Sequence, residues 1–273
     1  PFEYVMELID VFYEELRPYT DRIRVVTNWQ DIERNKKEGR MSALLAIEEG
    51  GVCCGKLEYL RDFYRLGVRM MTLTWNFPNG LGYPNRILPD KETGRHCCIP
   101  DAENGLTETG IDFVREMERM GMIIDISHLN DAGIWDVFRY TKKPFVASHS
   151  NARAVAGHPR NLTDEMLHAL AERGGVAGIN FCASFLRDKE DGKEPVRSYC
   201  RDMVMHMKHM KKTGGIGCIG LGSDFDGITS VLEMEDCSGM GLLADEMSRQ
   251  GFTVSEIEAV FHGNVLRVYR ELL

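Results

Sequence analysis

Met122-Ile-Ile-Asp-Ile-Ser-His128 and Pro144-Phe-Val-Ala-Ser-His149 are the stretches that decide the fold. Each is a short apolar run closed by a histidine, and the two histidines stand 21 residues apart. Upstream, Ala43-Leu-Leu-Ala-Ile-Glu48 closes on an acid. Downstream, Ile219-Gly-Leu-Gly-Ser-Asp224 does the same. Ligand-type side chains at the carboxyl ends of successive strands are how a (β/α) barrel builds a metal site.

Working outward, strand signals recur with helical stretches between them, the pattern of βα units and a parallel sheet. Strands are expected near residues 22–26, 43–47, 68–75, 122–127, 144–148, 175–180 and 217–222. Helical periodicity fills 4–16, 57–66, 109–120, 164–173 and 198–213, and a last helix from 255 is interrupted near Gly263-Asn264. The expected fold is α/β, a (β/α)8 TIM-type barrel. Such a barrel takes eight strands and seven are legible, so the first strand is expected upstream of Pro1. Residues 77–104, rich in Gly, Pro and Asn, read as one long irregular loop, of the kind that covers active sites. No repeat or linker divides the chain, and a single domain over 1–273 is expected.

Composition excludes several classes. The chain has 273 residues and a net charge of −9, from 42 acidic and 33 basic residues. Basic residues gather only in pairs such as Lys142-Lys143 and Lys211-Lys212, so neither nucleic acid nor an anionic membrane is an expected partner. No apolar stretch approaches the roughly 20 residues of a membrane helix. No secretory signal is visible, although the chain opens on Pro1 without an initiator Met, and a cytoplasmic location is expected. Eight cysteines over this length are too dilute for a disulfide scaffold. The vicinal pairs Cys53-Cys54 and Cys97-Cys98 lack the C-x-x-C spacing of a thiolate site and read as reduced thiols.

Zinc and similar ions take imidazole nitrogen and carboxylate oxygen, which Glu48, His128 and His149 supply from three strand ends. Two oxygens let Glu48 bridge a pair of metals, while Glu49 is turned away by strand alternation. Asp224, ahead of Asp226, is the expected proton carrier between a water and a leaving amine. Arg160, in the loop after His149, reads either as a clamp for a substrate carboxylate or as a solvated surface arginine. His206 and His209 share a helix face with Met205 and Met210; an i,i+3 pair of this kind can bind metal, but the pair reads rather as a helix surface covered by soft side chains. A chance set of polar strand ends is the competing reading of the whole constellation.

At these residues the sequence resembles the membrane (renal) dipeptidase family of the amidohydrolase-like barrels. The matching pieces are Ile47-Glu48-Glu-Gly-Gly51, Leu66-Gly-Val-Arg-Met-Met-Thr-Leu-Thr-Trp-Asn76, Ile124-Asp-Ile-Ser-His128 and Ser148-His-Ser150. They continue through Arg160-Asn161, Gly178-Ile-Asn-Phe181, Gly222-Ser-Asp-Phe-Asp-Gly227 and Gly263-Asn-Val-Leu-Arg267, in the family's order. The resemblance implies a zinc dipeptidase, with two zincs in the complete protein and hydrolysis by a metal-bridging hydroxide. It also implies tolerance of a D-residue at the C-terminal position and a homodimer. It gives Glu48 as the bridging carboxylate, His128 and His149 as ligands of the second zinc, Asp224 as acid/base and Arg160 as the substrate-binding arginine.

The departures are equally specific. The family's first zinc is held by a His-x-Asp pair at the end of strand one, and no such pair occurs in this chain. Trp75 stands where the animal enzymes have a substrate-contacting histidine, and Phe185 where they have a tyrosine. The Thr72-Leu-Thr-Trp-Asn76 segment is nearer to bacterial-type members. Two alternatives stay open: a related metal-dependent amidohydrolase acting on another amide or lactam, and a catalytically silent homologue.

Overall fold

Alternation shapes the strand that carries Glu48 in the computed structural model. In Leu45–Glu48 (β1), Leu45 and Ile47 are buried and Ala46 and Glu48 exposed, so the aliphatic side chains enter the core while the carboxylate is left out at the strand's end. The structure describes residues 1–89, 96–188, 193 and 195–273. They fall into two units: Pro1–Pro84 with Glu103–Thr141 and Tyr269–Leu273, and Asn85–Ala102 with Lys142–Val268.

In the first unit β1 is followed by Val68–Thr72 (β2) and Ile123–Asp125 (β3). The three run parallel, with Ile47 opposite Met71 and Met71 opposite Ile124. Helices Leu57–Arg65 and Glu108–Met120 connect them, and bury Leu60, Phe63, Phe113, Val114 and Met117. Thr107 caps the second helix by accepting the Gly110 N–H.

In the second unit Val146–Ala147 (β4), Val176–Ile179 (β5) and Ile219–Leu221 (β6) are also parallel. All four residues of β5 are buried, as expected of a strand covered on both faces. Helices Asp164–Glu172 and Cys200–Gly214 lie between these strands, the first capped by Thr163, which accepts the Met166 N–H. The final helical stretch is interrupted where expected. Val254–Glu258 passes through a π-turn, Ala259–Gly263, before resuming as Asn264–Leu272. There the Asn264 side-chain amide donates to the carbonyls of Ile216 and Ile219 at 2.7 and 2.8 Å, which ties the interruption to the start of β6.

Parallel strands alternating with helices give the α/β class expected, although a closed ring of eight strands is not found among the described residues. Two details differ. The strand expected at 22–26 forms as Ile23–Val25 but pairs with Met41–Ala43 in a two-stranded ladder of its own. The region 77–104 is not wholly irregular: Arg86–Pro89 pairs antiparallel with His96–Ile99. Its surrounding Gly, Pro and Asn residues conceal that hairpin, and residues 90–95 lie outside the described residues.

Candidate metal centre and active site

β3 ends in a buried acid that shapes the turn toward His128. Asp125 accepts the Ser127 N–H at 3.0 Å on Oδ1 and the Thr72 hydroxyl at 2.6 Å on Oδ2. The chain then passes through His128 with φ +70°, a conformation costly for a residue with a Cβ. The imidazole is 7% exposed. Its Nδ1 lies 2.9 Å from Asn76 Oδ1, and its Nε2 lies 3.0 Å from Glu48 Oε1.

That geometry fits a divalent metal. With the Nδ1 proton donated to Asn76, a neutral imidazole turns the Nε2 lone pair toward a carboxylate oxygen. Two electron-rich atoms so placed repel unless a proton or a cation joins them. A donor set of imidazole and carboxylate, with the second ring nitrogen anchored by a polar neighbour, is what zinc sites use.

Glu49 is directed elsewhere. At φ +134° its carboxylate accepts the Gly51 N–H at 2.9 Å and the Asn79 side-chain amide, so it caps the turn Gly50–Cys53. Trp75 and Phe77 are both exposed and meet edge to face at 5.9 Å, with the Trp75 ring 6.1 Å from that of His128.

The second unit carries His149, Arg160 and Asp224. His149 follows β4 and is buried, with its Nδ1 2.7 Å from the Ser148 hydroxyl. Arg160 is 8% exposed, with its guanidinium 5.5 Å from the Phe185 ring centre. That burial removes the solvated-surface reading of Arg160. Burial pushes the Cys98 thiol up, against the lowering charges of Arg160 and Arg153.

Asp224 follows β6 with φ +59°, accepts the Asn180 side-chain amide on Oδ2 at 3.1 Å and is half-buried, whereas Asp226 is exposed. Four non-glycine residues among those described have positive φ: Glu49, Cys54, His128 and Asp224. Two of them are the expected ligand and the expected acid/base.

Several supports are not legible as site residues in the sequence: Asn76, Asp125, Ser148, Asn151 and Asn180. The signal available for Asp125 and Asn180 was a polar residue at the end of an otherwise aliphatic strand. His206 departs from its expectation as helix surface. It is fully buried, its Nδ1 accepts the Ala152 N–H at 3.1 Å, and its Nε2 donates to the Leu186 carbonyl at 3.0 Å. His209 instead meets Asp164 at 2.7 Å.

Parallel βα units with imidazole and carboxylate side chains at their strand ends are the arrangement from which barrel-type folds build metal sites. The chain belongs to the membrane dipeptidase family, peptidase family M19, which matches residues 2–272. It is similar to an uncharacterized protein in the pqqA 5' region of Klebsiella pneumoniae, with 32% identity covering 100% of this chain and 97% of that protein. Among solved structures it is similar to dipeptidase AC, a metallo peptidase of family M19. The TM-score is 0.88 and the identity 29%, over 98% of this chain and 76% of that one. A metallo peptidase from Rhodobacter sphaeroides, liganded with a phosphinate mimic of the dipeptide L-Ala-D-Ala, gives a TM-score of 0.86. Its identity is 30%, over 97% of this chain and 72% of that one. This chain spans 59%, 63% and 62% of the lengths of three relatives named as dipeptidases.

Proposed function

We propose that the chain is a zinc dipeptidase that accepts dipeptides with a D-residue at the C-terminal position, and that Glu48, His128 and His149 hold metal. The observation that carries this reading is the approach of His128 Nε2 to Glu48 Oε1 at 3.0 Å with Nδ1 turned to Asn76. Further support comes from His149, a buried imidazole that closes its own strand in the second unit with Nδ1 held 2.7 Å from the Ser148 hydroxyl. Family membership and the dipeptide mimic bound to the Rhodobacter sphaeroides relative support the substrate class.

A divalent ion bound there supplies Lewis acidity toward a peptide carbonyl and makes a water more acidic. The chain's own residues supply the rest. Arg160 pairs with the free carboxylate of the dipeptide and fixes the register of its peptide bond. Asp224 takes the proton from the attacking water as the new C–O bond forms. It then gives that proton to the amide nitrogen as the C–N bond breaks, so the products are two amino acids.

The test is a panel of L,L and L,D dipeptides offered to zinc-loaded protein, with Arg160→Ala and Asp224→Asn alongside. Cleavage of dipeptides, a KM raised by Arg160→Ala and a kcat lost in Asp224→Asn are expected. Turnover of lactams or acyl amides with no dipeptide cleaved would refute the reading. No helix among the described residues is long and apolar enough to cross a membrane.

A further inference from the structure

Asn180 follows β5, is fully buried, and has each of its polar groups engaged. Its backbone N–H donates to Asn151 Oδ1 at 2.8 Å, and its backbone carbonyl accepts the Asn151 side-chain amide at 3.0 Å. Its own Oδ1 accepts the Cys182 N–H at 2.6 Å. That last bond fixes the orientation of the side chain. Because a backbone N–H can only donate, the oxygen must face Cys182 and the NH2 group must face Asp224. Nδ2 accordingly donates to Asp224 Oδ2 at 3.1 Å.

The other carboxylate oxygen is treated differently. A side chain on Gly227 would collide with Asp224 Oδ1, so glycine at 227 keeps that oxygen clear. The Gly227 N–H donates to the Asp224 backbone carbonyl at 3.1 Å and closes the turn around the left-handed Asp224. One oxygen is therefore held by a buried donor, and the other lies where only a glycine at 227 leaves it room.

The Asn180 clamp is continuous with the segment that carries Arg160. The Phe185 carbonyl accepts side-chain amides from both Asn151, at 3.3 Å, and Asn161, at 2.9 Å. Asn151, which grips the backbone of Asn180, thus shares an acceptor with the residue that follows Arg160.

We propose that Asn180 is the positioning residue for Asp224. It holds Oδ2 so that Oδ1 is the oxygen that carries the proton. The inference rests on the acid/base role of Asp224 given under Proposed function. The competing possibility is that Asn180 serves only the turn, through Cys182.

Steady-state kinetics of zinc-loaded protein on L-Ala-D-Ala and L-Ala-L-Ala separates the two, using Asn180→Ala, Asn180→Asp and Asp224→Asn. Asn180→Asp keeps an oxygen for the Cys182 N–H but sets a second carboxylate against Asp224. Positioning predicts that kcat falls on the order of 10- to 100-fold in Asn180→Ala, with KM held within about threefold. It predicts that kcat falls further in Asn180→Asp, with zinc content unchanged in both. It also predicts that adding Asn180→Ala to Asp224→Asn costs nothing more, because the two act as one unit.

A purely structural role predicts the reverse order, with Asn180→Asp more active than Asn180→Ala, and that order would overturn the proposal. So would an Asn180→Ala variant with intact kcat while Asp224→Asn is inactive. If Asp224→Asn retains full kcat, the acid/base assignment falls and the proposal falls with it.

Discussion

The α-carbon of Gly222 is packed against the backbone carbonyl of Ser148 so closely that a Cβ there would overlap the carbonyl oxygen and sit 2.9 Å from His149 Cα. Gly178 faces the same carbonyl and meets the backbone of Gly222. The Ser150 N–H donates to the Gly178 carbonyl at 2.8 Å on the far side of His149. Two glycines thus let the β5 and β6 strand ends close on the backbone that presents the histidine. A methyl group at 222 forces that backbone to move, at a cost of about 1–3 kcal/mol. Gly222→Ala is expected to lower Tm and to reduce zinc content, because His149 is displaced. Elemental analysis and thermal unfolding of the variant check this, and unchanged zinc would show that the close approach does not place the ligand.

Asn76 is expected to act on metal affinity through His128. Asn76→Ala leaves both ligands in place but frees the ring to rotate and to change tautomer. Loss of such a partner typically weakens a site by roughly 10- to 100-fold. Competition with a chromogenic chelator measures the zinc Kd, and a Kd within a factor of two of the parent would count against the Nδ1 anchor.

His206 gives the fold an acid limit. Burial, as the largest cause, pulls this imidazole down to about 4 from its usual 6.5. Between those values the unfolded chain binds a proton that the folded chain does not. The contribution is complete above pH 6.5 and is lost as pH falls through about 4, amounting to about 3 kcal/mol at most. Urea midpoints measured from pH 7 to pH 4 should fall less steeply in His206→Gln than in the parent. Parallel curves would show that the group does not govern the acid limb.

Thiol reactivity should divide by burial. Burial pushes Cys53 and Cys200 up to about 12 and Cys218 up to about 11, so these hold few thiolates near neutral pH. Cys54 and Cys237 are exposed. A disulfide reagent applied to native protein should label Cys54 and Cys237 first, with mass spectrometry locating the label. Early modification of Cys53 would contradict the packing of the turn Gly50–Cys53.

Much of this architecture is legible because apolar strands that end in one polar residue announce both an element and a site. Glu48, His128, His149 and Asp224 were visible in that way. Arg160 was legible as a loop arginine with two readings, a carboxylate clamp or a solvated surface residue, and only its burial separates them, since burial is not written in spacing. Asn180 was hidden because a polar residue that closes an aliphatic strand signals a turn as readily as a contact with Asp224. The left-handed backbone at His128 and Asp224 had no signal at all, because sequence announces positive φ through glycine and neither position has one. The strand at 22–26 was read correctly as a strand, but its partner at 41–43 was not, since pairing is decided by tertiary contacts.

Metal binding by Glu48, His128 and His149 is tested by zinc content, measured by elemental analysis on the parent protein and on Glu48→Gln, His128→Ala and His149→Ala, each confirmed folded by circular dichroism. Stoichiometric zinc is expected in the parent and a marked loss in each variant, with the loss of dipeptide cleavage following the loss of metal. Zinc retained at the parent level in the His128→Ala variant, or a parent protein that binds none, would contradict metal binding by these residues.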